Sequence, residues 1–146
     1  MHLAQVNVAR LLAPIESPRL SGFVRRLDEV NAAAEAAPGF VWRLTSDSGN
    51  DATALRPWGD DVIVNMSVWE SVEALRDYVY GVQHVAVLRR RREWFHLLGA
   101  PHLAVWWVPV GHVPGLDEAR ERLDLLEREG PTPLAFTLRQ PFPEPA

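Results

Sequence analysis

Residues 61–95 read DVIVNMSVWESVEALRDYVYGVQHVAVLRRRREWF. The opening alternates, with Val62, Val64, Met66 and Val68 on one side and Ile63, Asn65, Ser67 and Trp69 on the other. A period of two marks a strand. Its second face carries an amide, a hydroxyl and an indole where charges or aliphatic groups are usual. Ser71 stands where a helix cap belongs, and Glu73 follows in the first turn. From Leu75 through Tyr78, Val79, Val82, Val85 and Ala86, apolar residues recur every three or four. That spacing predicts a helix running to Phe95, with Gly81 as the place where it kinks or splits.

Working outward, residues 2–9 alternate too, Ala4, Val6 and Val8 against Leu3, Gln5 and Asn7. Ser17-Pro18 starts a helix whose stripe is Leu20, Phe23, Val24, Leu27, Val30, Asn31 and Ala34, and Pro38-Gly39 stops it. Residues 40–45 form a strand with Phe40, Trp42 and Leu44 on one face. The turn formers at 46–51 form a loop, and Pro101 ends the linker after Phe95. Residues 102–110 are too apolar to face water on either side, so they form a covered strand. A last helix spans about 117–129 on Leu116, Ala119, Leu123 and Leu126, and the tail after Pro133 docks as a short strand.

The order is βαββαβ plus a helix, an α+β chain with an antiparallel sheet and helices on one face. The other face, left bare, would expose large side chains, and packing two such faces together makes a homodimer. The 146 residues are expected to form one domain, 1–146. A net charge of −4 argues against binding nucleic acid through phosphates. All 15 basic residues are arginine, which excludes a Schiff-base or P-loop lysine. The absence of cysteine excludes disulfides and thiol nucleophiles. No secretory leader and no membrane-length apolar run is visible, so a cytoplasmic protein that binds no membrane is expected. The five histidines show no HxH, HExxH or carboxylate-paired spacing, so no metal is expected, and GxSxG, GxGxxG and P-loop motifs are absent.

One constellation carries chemistry. Asn65, Ser67 and Trp69 share a strand face, joined by Gln5 and Asn7 if the first and third strands are neighbours. Tyr80, His84 and Arg91 fall at i, i+4 and i+11 of an unbroken helix. His84 and Asn65 are the candidate catalytic pair: an imidazole for acid–base work at neutral pH, and an amide to steady developing negative charge. Trp69, Tyr80, Ser67, Trp42, Trp106 and Arg91 are the candidate substrate-binding residues. Trp106 and Trp107 point to opposite faces, so at most one of them lines a given cavity. Each residue also has a structural reading: His84 as a hydrogen-bonded structural residue, Trp69 and Tyr80 as packing, and Arg89 to Arg92 as a solvated face.

The runs HLAQVNVARL, PGFVWRL at 38–44, VNMSVWESVEALRDYVY at 64–80, His84 with RRRREWF at 89–95, and LAVWWVPVGHVP at 103–114 resemble the family named domain of unknown function 3291. That family is grouped with the dimeric α/β-barrel superfamily, which includes the antibiotic-biosynthesis monooxygenases. The resemblance implies a ferredoxin-like protomer and a barrel-forming dimer. Cofactor-independent quinone-forming monooxygenases of this superfamily carry an asparagine and a tryptophan four apart on the third strand, and Asn65 and Trp69 match that spacing. The expectation is a homodimeric enzyme without a cofactor, acting by oxygenation, isomerisation or cyclisation on an aromatic or polyketide-like small molecule. The alternatives are a non-catalytic ligand-binding or structural homodimer, and a haem protein with His84 as axial ligand.

Overall fold

The computed structural model describes residues 1–46, 51–96 and 102–145. Strands β1 (His2–Arg10), β2 (Phe40–Arg43), β3 (Val62–Trp69) and β4 (Leu103–Val108) form one antiparallel sheet in the order β2-β3-β1-β4. Helix α1 (Ser21–Ala36) joins β1 to β2, while α2 (Val72–Val79), α3 (Val82–Arg89) and α4 (Arg91–Trp94) join β3 to β4. The result is the expected ferredoxin-like βαββαβ fold, followed by α5 (Leu116–Glu129). Most of the loop expected at 46–51, and Pro101, lie outside the described residues.

Local chemistry sets the element boundaries. Ser17 caps the 3-10 turn Pro18–Leu20 that leads into α1, its hydroxyl accepting from the Arg19 N–H at 3.3 Å. Gly39 reverses the chain after α1 at φ 84°, a conformation that a Cβ disfavours. Ser71 caps α2, accepting from Ala74 N–H at 3.0 Å.

The two faces of β1 and β3 alternate as the sequence implies. Val6, Val64, Met66, Val68 and Trp106 point to one side, and Leu3, Ile63, Trp69 and Val105 to the other. Helices α1 to α4 cover the second side in two apolar clusters. One gathers Trp69, Leu75, Ala34 and Phe136. The other gathers Leu20, Phe23, Ile63 and Trp94.

Three expectations are corrected. The face expected to be bare is closed within a single chain, because Ala119, Leu123 and Leu126 of α5 pack on Val6, Val64 and Trp106, and Leu55 and Trp58 lie against the same cluster. A polar clasp anchors that helix: Glu118 accepts from Trp106 Nε1 at 2.8 Å and contacts His112 Nε2 at 2.7 Å. Burial opposes the Glu118 charge, but the bonds from His112 and Trp106 outweigh it and hold the carboxyl below its ordinary value. The apolar surface that motivated a sheet-to-sheet dimer is therefore covered by the chain itself.

The long helix expected over 71–95 is instead three helices, broken at Gly81, which caps α3 in an extended conformation, and again at Arg90. A register shift between Phe40 and Trp42 also breaks the simple alternation of β2. Phe40 faces the helices, edge-on to Trp69 at 5.5 Å, while Trp42 and Leu44 join the α5 side.

The tail docks on the β4 edge as expected, with Val105 and Phe136 exchanging backbone hydrogen bonds at 2.9 Å each. Among the described residues, no helix is long and apolar enough to cross a membrane.

Candidate functional site

Between the two apolar clusters on the helix side, the sheet presents a polar row. Register places Gln5 opposite Ser67 and Asn7 opposite Asn65. Diagonal neighbours on one face of a sheet are also within reach, so Gln5 can meet Asn65 as well. Its Nε2 donates to Asn65 Oδ1 at 2.8 Å and to Ser67 Oγ at 2.7 Å. Trp69 Nε1 donates to the same Ser67 oxygen at 2.8 Å. Gln5, Ser67 and Trp69 are buried, yet Asn65 is exposed although Ile63, Val64, Met66 and Ser67 around it are not. An exposed residue on the helix-covered face of an interior strand marks a notch in the helix layer. On α1 the apolar stripe through Leu27 and Ala34 is interrupted by buried Asn31.

The row continues into the helices through rings. Trp69 stacks on Tyr78 with centroids 5.1 Å apart, and Tyr78 meets His84 edge-on at 5.2 Å. The Tyr78 hydroxyl donates to Val30 O at 3.2 Å. Burial pushes its pKa up to about 12, with nearby Arg43 pulling the other way, so it stays a neutral donor. Arg43 lies opposite Ser67 on β2 and is held by Glu35 through Nε at 2.7 Å. The His84 imidazole is half-buried, and its Nδ1 lies 3.1 Å from Val79 O. Nδ1–H donation to that carbonyl leaves the Nε2 lone pair free. Burial lowers the pKa of His84, opposed by the Val79 bond, so the ring is neutral at pH 7. The arrangement offers a neutral base and an exposed amide on one continuous set of contacts.

The model of the family described as domain of unknown function 3291 matches residues 2–146. The chain belongs to this family. No curated protein matches this DUF3291 chain. Among solved structures, it is similar to Rv0793 from Mycobacterium tuberculosis at 14% identity, with a TM-score of 0.51, covering 78% of this chain and 100% of that one. NE2512, a protein of unknown function from Nitrosomonas europaea, matches at 11% identity and a TM-score of 0.50, covering 78% and 95%. A protein described as a candidate antibiotic biosynthesis monooxygenase from Chloroflexus aurantiacus J-10-fl matches at 18% identity and a TM-score of 0.50, covering 78% and 98%. Likeness at these identities is likeness of fold.

In the DUF3291 chain, Asn65, Ser67, Trp69 and His84 belong to one connected group. Trp69 is fully buried and backs the polar row from behind. The other four candidates fall elsewhere. Trp42 and Trp106 stand on the α5 side of the sheet, Trp106 fully buried. Tyr80 is 67% exposed at the end of α2, and Arg91 is exposed at the start of α4. The break at Gly81 separates Tyr80 from the stripe of His84, and the break at Arg90 separates Arg91 from it. The ring that contacts His84 is Tyr78, and helical spacing from Leu75 carried that signal. Gln5 and Arg43 take their places from cross-strand register, which a single strand does not encode.

Two open cavities lie away from this group. One of about 470 Å3 is lined by residues 11–16 with Arg56, Asp60 and Asp61. The other, of about 310 Å3, lies between α2, Trp107 and the tail. Among the described residues, no three His, Cys, Asp or Glu side chains assemble in a way that could hold a metal ion.

Proposed function

We propose that this chain is a small cytoplasmic homodimeric enzyme that acts without a cofactor on an aromatic or polyketide-like small molecule. The observation that carries the proposal is the exposed Asn65 amide on an otherwise covered sheet face, connected through Gln5, Ser67, Trp69 and Tyr78 to a neutral, half-buried histidine. His84 Nε2 takes a proton from an acidic C–H or O–H of the substrate. The electron pair moves onto the substrate oxygen, and the Asn65 NH2 group stabilises the resulting enolate or phenolate. Oxygenation by dioxygen, isomerisation and cyclisation can each begin from that anion. The fold shared with a candidate antibiotic biosynthesis monooxygenase supports this reading as analogy. The homodimer is part of the proposal on family grounds. Exposed Val110, Val113 and Leu134, on the segments flanking α5, supply apolar surface for it.

The test is a thermal-shift screen of aromatic ketones, phenols and polyketide-like compounds, followed by turnover assays of the hits. His84→Ala is expected to abolish turnover while unfolding within about 5 °C of wild type, the scale of a 1 kcal/mol change. Collapse of thermal stability in that variant would make His84 a packing residue instead. A Soret band in the purified protein would overturn the cofactor-free reading. Light scattering that returns a monomer would overturn the dimer.

A further inference from the structure

We infer that Gln5 is a positioning residue that turns the Asn65 NH2 group toward the notch, so that the site selects a ligand oxygen able only to accept: a ketone, an enolate or a phenolate. This rests on the proposed function above and names the chemistry of its ligand.

The inference follows from counting donors. A carboxamide nitrogen has two N–H groups, and both of those on Gln5 are engaged, by Asn65 Oδ1 at 2.8 Å and Ser67 Oγ at 2.7 Å. An indole N–H can only donate, and that of Trp69 reaches the same Ser67 oxygen at 2.8 Å. Ser67 Oγ therefore takes a donor on each lone pair. Asn65 turns its oxygen to the buried Gln5, so the end it presents at the exposed side is its NH2. Gln5 is 5% exposed and packed within the sheet face, so its own rotation is restrained and the orientation of Asn65 is set in advance.

A reversed network engages the same three side chains. Gln5 Oε1 would accept from the Ser67 hydroxyl and from Asn65 Nδ2, and Asn65 would offer its oxygen to the notch. That arrangement selects a ligand donor instead. The two differ in a way one substitution resolves, because Gln5→Glu has no donor and enforces the reversed network.

The test uses the full 15N-labelled chain, with side-chain amide signals assigned from Asn65→Asp and Gln5→Glu spectra. In the wild type, the Gln5 Nε2 protons are expected to exchange slowly and those of Asn65 Nδ2 rapidly. The opposite ranking overturns the inference. Binding is then read with 1-indanone, an acceptor-only aryl ketone, and with indane, its oxygen-free twin. The wild type is expected to bind 1-indanone more tightly than indane, with the Asn65 amide protons moving downfield. Gln5→Glu is expected to lose about tenfold in 1-indanone affinity, the scale of one hydrogen bond, with indane unchanged. Unchanged 1-indanone affinity in a folded Gln5→Glu protein overturns the inference. Should Gln5→Glu fail to fold, Gln5→Met, which frees Asn65 to rotate, is expected to lose the preference for 1-indanone over indane, and retention of it overturns the inference. Wild type that ranks its amides as expected but binds neither 1-indanone nor 1-naphthol leaves the orientation of Asn65 standing. That result sinks both the ligand selectivity and the proposed site.

Discussion

At the scale of single residues, Ser67 and His84 are the most informative. Ser67 is small and buried, yet two donors depend on its oxygen. Leaving a buried donor unsatisfied costs roughly 1–3 kcal/mol, so Ser67→Ala is expected to lose about 2–4 kcal/mol in urea unfolding. His84 yields a prediction in pH. Burial holds its pKa below the ordinary 6.5, so between that lowered value and 6.5 the folded protein binds fewer protons than the unfolded chain. Stability from this group is complete above pH 6.5 and is lost as pH falls through the lowered pKa. As a general base, His84 also requires catalysis to rise with pH through an apparent pKa below 6.5. A kcat/KM profile that shows no fall with decreasing pH at any pH where the protein stays folded would contradict that role. The strand face of Asn65, Ser67 and Trp69 was legible because period two sorts side chains without any tertiary knowledge. That Trp69 is a backing residue with no exposed surface was not, because exposure depends on what the helices cover.

At the scale of elements, glycine decides two junctions by different physics. Gly39 has φ 84°, and a Cβ there would stand 2.5 Å from the Cβ of Ala74. Gly39→Ala is therefore expected to cost at least about 2 kcal/mol, from backbone strain and overlap together. Gly81 is extended at φ −72°, where any residue is comfortable, and a Cβ would lie 3.1 Å from Tyr78 O and 3.3 Å from Asp77 O. Gly81→Ala is expected to cost about 1 kcal/mol or less, from crowding and a poorer cap. Denaturant titration of both variants checks the ranking, and equal losses would contradict it. Pro38-Gly39 marked its turn plainly in the sequence. At Gly81 the sequence offered a kink or a split, and the split separates His84 from Tyr80, while a further break at Arg90 separates it from Arg91. Local propensity does not choose between these outcomes, because the layer that α1 to α4 must fit is built by distant parts of the chain.

At the scale of the whole molecule, α5 is the element that closes the fold. It covers Val64, Met66 and Trp106, which a four-stranded sheet with helices on one side would leave in water. Leu123→Ala is expected to cost about 2–4 kcal/mol, the usual range for truncating a buried leucine. Loosening of α5 would appear as dye binding and a red shift of Trp106 fluorescence before global unfolding. If Leu123→Ala unfolds with wild-type stability, α5 is a weak cover. Its stripe of Leu116, Ala119, Leu123 and Leu126 was readable from spacing alone. The face it packs on was not, because a stripe specifies that a helix is buried and says nothing about where.

By itself the sequence determined the βαββαβ order, the facing of residues 3–8 of β1 and of all of β3, the covered character of β4 and the existence of α5. Each of these follows from local periodicity and turn chemistry. The tertiary structure decided that Trp42 and Trp106 lie on the far side of the sheet from Asn65, that Tyr78 is the ring against His84, that Gln5 holds Asn65, and that one chain covers both faces of its sheet. Those facts depend on register, on one strand irregularity and on the docking of distant segments. Each is settled by the summed packing of the whole chain, and no window of neighbouring residues contains it.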